Sequence, residues 1–343
     1  MVNARSLAPL SLVALFLAAL LACDSKKPAT PGPAKGSNPP PPARKDFTLA
    51  LVGRGVDDEV STIVVRGFLR AADEFASAND LTVTTHVHTP SRRGTRAQID
   101  AVRAASDRIP DAVVAFPDED GLITVDDRGR PSPDGVFLAL VSQLDAARSA
   151  GADVLLVGTD FIGSDRIGYV GWSEAAAGRA AGETLASAMG GAGKAVILAG
   201  TGKRAEHVER AEAAAAALAA AGVTAVVVNH EEQALDAALA GHADLQGVLI
   251  ATGASLASIP AGVKVVTIDA STPALQALSR GEIHAVIAGD YDAWGRAAAI
   301  AILERVHAGK FPAETHAEAL VLTRGNAADF LAKWTSWLAA PGG

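Results

Sequence analysis

The chain has 343 residues, 49% of them apolar, 20% charged and 4% aromatic, with a formal net charge of −8. An acidic balance of this size argues against nucleic acid as a partner, because phosphate binding needs clustered Lys and Arg. A single cysteine, Cys23, excludes an internal disulfide.

In chain order, the first feature is an apolar run, Leu7 to Ala22, preceded by Arg5 and closed by Cys23. A membrane span needs about 20 apolar residues. A short run with a basic start and small residues at its end reads instead as an export signal. Asp24 to Asp46 holds seven prolines, including Pro39 to Pro42, and almost no apolar side chain. It cannot bury enough surface to fold and reads as a semi-extended spacer.

From Phe47 short apolar runs alternate with longer amphipathic ones. Strands are expected at 47–53, 81–88, 111–116, 153–158 and 167–171, with helices at 58–80, 95–108 and 136–150. A surface hairpin is expected within 121–135. A second series places strands at 194–200, 224–229, 247–252 and 264–269, with helices at 173–189, 204–221 and 232–240. A strand at 284–290, a helix at 291–309, a strand at 317–323 and a helix at 326–338 close the chain. Apolar runs of four to six residues point to strands buried on both faces, hence parallel sheets. Strict alternation implies right-handed βαβ units. Two series predict an α/β protein with two doubly wound lobes.

Several motifs carry little chemistry. "GGAGKA" (190–195) precedes a strand and lacks the Ser or Thr of a phosphate loop, so it reads as a turn. "GTGK" (200–203) follows a strand and suits either a plain turn or an anion site. His86 and His88 share a strand face, but no third ligand stands at metal-binding spacing. "GWSEA" (171–175) lacks the second glycine of a nucleophile elbow. The expectation is therefore no catalytic residue, no metal and no cofactor.

Two resemblances add to this reading. Leu20-Leu21-Ala22-Cys23 resembles the lipobox of bacterial lipoproteins. This implies a signal peptide at 1–22 and a lipidated Cys23 followed by a linker to residue 46; a plain secretory signal is the alternative. Asp24 after the cysteine resembles an inner-membrane retention signal. The remainder resembles the type I periplasmic binding proteins of the ribose and galactose class. "IGYVGWSEAAAGRAAGE" (167–183) is the most specific match, supported by "LALVGRGVDDEVSTIVVRGF", "LAGTGKRAEHVERAEAAAAAL" and "VKVVTIDASTPALQALSRGEIHAVIAGDYDAWGRAAA".

This resemblance implies two Rossmann-like lobes, 47–171 plus 290–316 and 172–289 plus 317–343. Three crossovers would join them, with a ligand cleft between. It implies ligand contacts from Asp269, Arg210, Asp58, with Asp57 beside it, and Asp160, for whose place Gly158 and Thr159 compete. Thr252 and Gly253 replace an Asn-Asp pair, and Gly289 replaces a polar contact that Asp290 would supply. Val60 and Ser61 stand where sugar receptors carry stacking aromatics. Phe116, Trp172, Tyr291 and Trp294 are expected to line the cleft instead. The resemblance further implies a monomer on the periplasmic face of the inner membrane. It would capture a small polar ligand, a sugar foremost, for an ABC permease. A sensory receptor signalling to a membrane partner and an enzyme on the same lobes are the alternatives.

Overall fold

The computed structural model describes residues 44–118, 124–125, 131–132, 135–161, 164–200, 205–229, 239, 241–242, 244–251, 261–311 and 314–339. The first sheet is built from β1 (Asp46–Val52), β2 (Thr82–His88), β3 (Ala112–Ala115), β6 (Asp153–Val157) and β7 (Gly168–Gly171). Between them come α1 (Glu59–Ala78), α2 (Thr95–Ser106) and α3 (Gly135–Ser149), and a two-stranded ribbon of β4 (Thr124–Val125) and β5 (Pro131–Ser132). The ribbon is antiparallel and lies inside the stretch expected to form a hairpin.

The second sheet uses β8 (Lys194–Leu198), β9 (Thr224–Val228), β10 (Gly247–Ile250), β11 (Lys264–Ile268) and β12 (Ala285–Ala288). Its helices are α4 (Glu174–Met189), α5 (Ala205–Ala220) and α6 (Thr272–Arg280). The chain ends with α7 (Tyr291–Ala308), β13 (Glu314–His316), β14 (Leu320–Thr323) and α8 (Ala327–Leu338).

The strand orders are β13-β7-β6-β3-β1-β2 and β14-β12-β11-β10-β8-β9. Every pairing within these two sheets is parallel except β12 with β14. The chain crosses between the sheets three times: from β7 to α4, from β12 to α7, and from β13 to β14. The short strand β13, which pairs with β7, is absent from the sequence expectations. Three residues with mixed polarity offer no apolar run to detect.

Alternation along β1 shows why the fold is doubly wound. Leu49 and Leu51 enter a core shared with α1, whereas Ala50 and Val52 face Phe137, Leu140 and Leu144 of α3. Burying one aliphatic side chain contributes about 1.5–3 kcal/mol before entropy is counted. Both faces therefore demand cover, which only a parallel sheet between helical layers supplies. The edge strands β2 and β9 show what happens without full cover. Their residues are partly or fully exposed, and each alternates more polar or small side chains with valine.

Helix ends follow side-chain chemistry. Asp58, Ser173, Ser271 and Asp290 each accept a backbone N–H in the first turn of α1, α4, α6 and α7. Residues 190–193 of "GGAGKA" form a turn, as expected, with Gly190 ending α4 in the left-handed conformation, and Lys194 and Ala195 open β8. Cys23 and the segment before residue 44, Thr252, Gly253, most of the 232–240 helix and residues 201–203 of "GTGK" lie outside the described residues. Among the described residues no helix is long and apolar enough to cross a membrane.

Candidate functional site

A cavity of about 830 Å³ is lined from both lobes. Its walls come from the segments after the carboxyl ends of β1, β3, β6, β7 and β11, and from the first turn of α7. Ligands of doubly wound sheets bind in this place, because there the loops splay apart and leave backbone and side-chain groups unpaired by the sheet.

The first-lobe wall is organised around Arg54. Its guanidinium lies over the Phe116 ring, 4.1 Å from the centroid. Nη2 donates to Asp58 Oδ1 at 3.2 Å, and Nε lies 2.9 Å from Oδ2. The same Oδ1 accepts Ser61 N–H at 2.8 Å and starts α1. Arg93 reaches Asp58 Oδ2 at 3.4 Å and donates to Asp118 at 2.9 Å. Buried Gln98 ties the two loops below: its amide donates to the carbonyls of Gly53 and Phe116 and accepts Asp118 N–H. Asp57 accepts Arg93 N–H at 3.0 Å. Gly55 permits this approach, since a Cβ there would stand 2.5 Å from the Asp57 carboxylate and 2.6 Å from Arg93 N.

The second-lobe wall is organised around Arg210, whose side chain is only 2% exposed. It donates through Nε and Nη2 to Glu174, through Nη1 to Asp269 at 3.1 Å, and to the Ala251 carbonyl at 3.4 Å. Its guanidinium carbon stands 5.6 Å from the Trp172 ring centroid. Trp172 Nε1 donates to Glu174 at 3.3 Å, so one carboxylate serves both residues. Asp269 also accepts from the Tyr291 hydroxyl at 3.3 Å. Burial, then the Asp269 charge, pushes the Tyr291 phenol well above its ordinary value.

Asp269 adopts φ +71°, a left-handed conformation that costs a non-glycine residue of order 1–3 kcal/mol. Its side chain is 39% exposed. It does not cap the following helix; Ser271 does. A strained carboxylate beside a cavity, freed from capping and aimed by an arginine and a tyrosine, is equipped to accept hydrogen bonds from a polar ligand.

The structure therefore brings Asp57, Asp58, Trp172, Arg210 and Asp269 together, along with Val60, Phe116, Gly158, Tyr291 and Trp294. It does not bring Asp160 or Asp290 into the cavity lining. Asp160 is held by Arg166 through contacts of 2.5 and 2.6 Å. Asp290 accepts Ala293 N–H at 3.0 Å and starts α7. Thr252 lies outside the described residues. Sequence reasoning missed Arg54, Arg93, Asp118 and Glu174. Arg54 alone carried a signal, an arginine between two glycines directly after a buried strand. Among the described residues there is no group of three His, Cys, Asp or Glu side chains able to hold a metal ion.

The family model for the periplasmic binding protein domain matches residues 137–310, just over half of the chain. The chain belongs to the periplasmic binding protein family. No curated protein matches it at a significant level. Solved structures share its fold at low identity. GanP, a glucose-galactose binding protein from Geobacillus stearothermophilus, has 17% identity and a TM-score of 0.66, covering 82% of this chain and 99% of its own. An ABC transporter solute-binding protein from Agrobacterium vitis, bound to α-D-tagatopyranose, has 19% identity and a TM-score of 0.66, covering 86% of this chain and 100% of its own. AraP, an arabinose binding protein from Geobacillus stearothermophilus, has 16% identity and a TM-score of 0.66, with coverages of 84% and 99%. Family and neighbours are binding proteins, not enzymes.

Proposed function

We propose that this chain is a tethered solute-binding protein. It captures a small polyhydroxyl ligand, a sugar, between its lobes and presents it to an ABC permease. Asp269 carries the reading: a partly open carboxylate in a strained backbone conformation at the cavity wall, fixed by Arg210 and Tyr291. Sugar hydroxyls both donate and accept, and paired Asp–Arg groups meet both demands. Neighbours whose names specify glucose, galactose, arabinose or tagatose support the ligand class. The export pattern ending at Cys23 and the proline-rich spacer support lipid anchorage at the periplasmic face of the inner membrane.

No bond is made or broken. The work is differential affinity: a ligand touching both walls favours the closed arrangement by the contacts the open one lacks. A contact between the sheets' helices is already present at the cavity's edge, where Glu59, Ser271 and Pro273 all line the wall. Glu59 of α1 accepts from the backbone and hydroxyl of Thr272, at 2.9 and 2.6 Å, at the start of α6.

A thermal-shift panel of D-glucose, D-galactose, L-arabinose and D-tagatose at millimolar concentration tests the reading. A sugar at 1,000 times its Kd stabilises by about 4 kcal/mol, and at least one is expected to raise Tm by several degrees. No shift with any of them, on protein stripped of co-purified ligand, contradicts it.

A further inference from the structure

The cavity wall holds two tryptophans whose rings meet edge to face, 5.5 Å between centroids, and their N–H groups differ. Trp172 Nε1 donates to Glu174. Trp294 is only 3% exposed, lines the same cavity, and its Nε1–H has no acceptor among the described residues. Of the other buried polar atoms without a hydrogen bond, His88 Nε2 and Thr95 Oγ1 lie away from this cavity, and Arg54 Nε and Asp58 Oδ2, whose residues line it, are ion-paired with each other at 2.9 Å.

The ring is not free to turn and seek water. It packs against Tyr291 at 4.9 Å between centroids and against Trp172. Its Cζ2 would stand 2.5 Å from a Cβ at position 289, so only glycine leaves room for this edge of the indole. A buried donor without an acceptor is costly, and nearly all such groups in native proteins find a partner. An indole N–H donates and never accepts.

We propose that Trp294 is a ligand-contacting, specificity-determining residue, its Nε1–H donating to an oxygen of the bound ligand. This rests on the sugar-binding reading above. The ligand atom at that point must be an acceptor. A hydroxyl, ring ether or carbonyl oxygen satisfies it, whereas a methylene or ammonium leaves the donor bare and is rejected. Gly289 serves the same end by making space for the ring.

Calorimetric titration of wild type and Trp294→Phe with D-glucose, D-galactose, L-arabinose and D-tagatose tests this. Phenylalanine keeps an aromatic ring and removes the donor. The expected result is a Kd about 10-fold or more weaker for the sugar that wild type binds, in a ligand-free variant that still unfolds cooperatively, its Tm lowered only by the packing the smaller ring loses. Unchanged affinity overturns the inference and leaves the sugar reading standing. Failure of wild type to bind any of the four overturns the sugar reading and this inference with it. Should the variant not fold, ¹⁵N-indole spectra of wild type decide: an indole N–H signal is expected to move downfield on adding the bound sugar, and no movement overturns the proposal.

Discussion

The two walls of the cavity are built from the same parts to different ends. Each holds an arginine against an aromatic face and binds it with carboxylates: Arg54, Phe116 and Asp58 on one side, Arg210, Trp172 and Asp269 on the other. In the first lobe the aspartate is spent on structure. Asp58 is 5% exposed, caps α1, and takes both Arg54 and Arg93. In the second lobe the structural carboxylate is Glu174, which leaves Asp269 partly open. Residue type alone does not separate an aspartate open to the cavity from a buried, helix-capping one; tertiary contacts do.

The comparison breaks most sharply at the arginines. Arg210→Ala removes the guanidinium that Glu174 and Asp269 share, and removing one partner of a buried pair costs about 3–5 kcal/mol. Arg54→Ala leaves Asp58 with Arg93 and the Ser61 N–H, so its cost is expected to be clearly smaller. Urea unfolding of the two variants checks this. Equal losses would mean that the walls are equivalent after all.

A smaller effect sharpens the role of the tyrosines. The chain's two tyrosines, Tyr169 and Tyr291, are both buried, and desolvation raises both phenols above their ordinary value of 10. The folded state therefore resists ionisation while the unfolded chain does not. Stability from these groups is complete below pH 10 and is lost as pH rises above it. Phenolate absorbance is expected to appear only together with unfolding. Reversible titration near pH 10 in a protein that keeps its far-UV spectrum would contradict their burial.

Much of this architecture was legible in the sequence because buried parallel strands leave unbroken apolar runs, such as "DVLLVG" and "KAVILAG". The strand Glu314–His316 was not, since its pairing with Gly168–Gly171 is set by tertiary position and not by its own residues. The site was legible in part. Asp269, Arg210 and Trp172 sit in motifs whose place in the fold is fixed by the strands beside them. Asp160 and Asp290 stand three and two residues past a strand end, but ion pairing to Arg166 and helix capping engage them. Such competition between partners depends on residues distant in the chain. For the same reason Arg93 and Glu174 gave no local sign of the carboxylate and guanidinium they would meet.

The most direct test of the account is a calorimetric titration of wild type and Asp269→Gly with whichever of the four sugars stabilises the protein. Glycine accepts φ +71° without strain, and Arg210 keeps Glu174, so the variant is expected to fold with a Tm near that of wild type. Losing a charged acceptor should weaken binding by about 10- to 100-fold. A folded Asp269→Gly that binds the sugar as tightly as wild type would contradict the claim that this carboxylate holds the ligand.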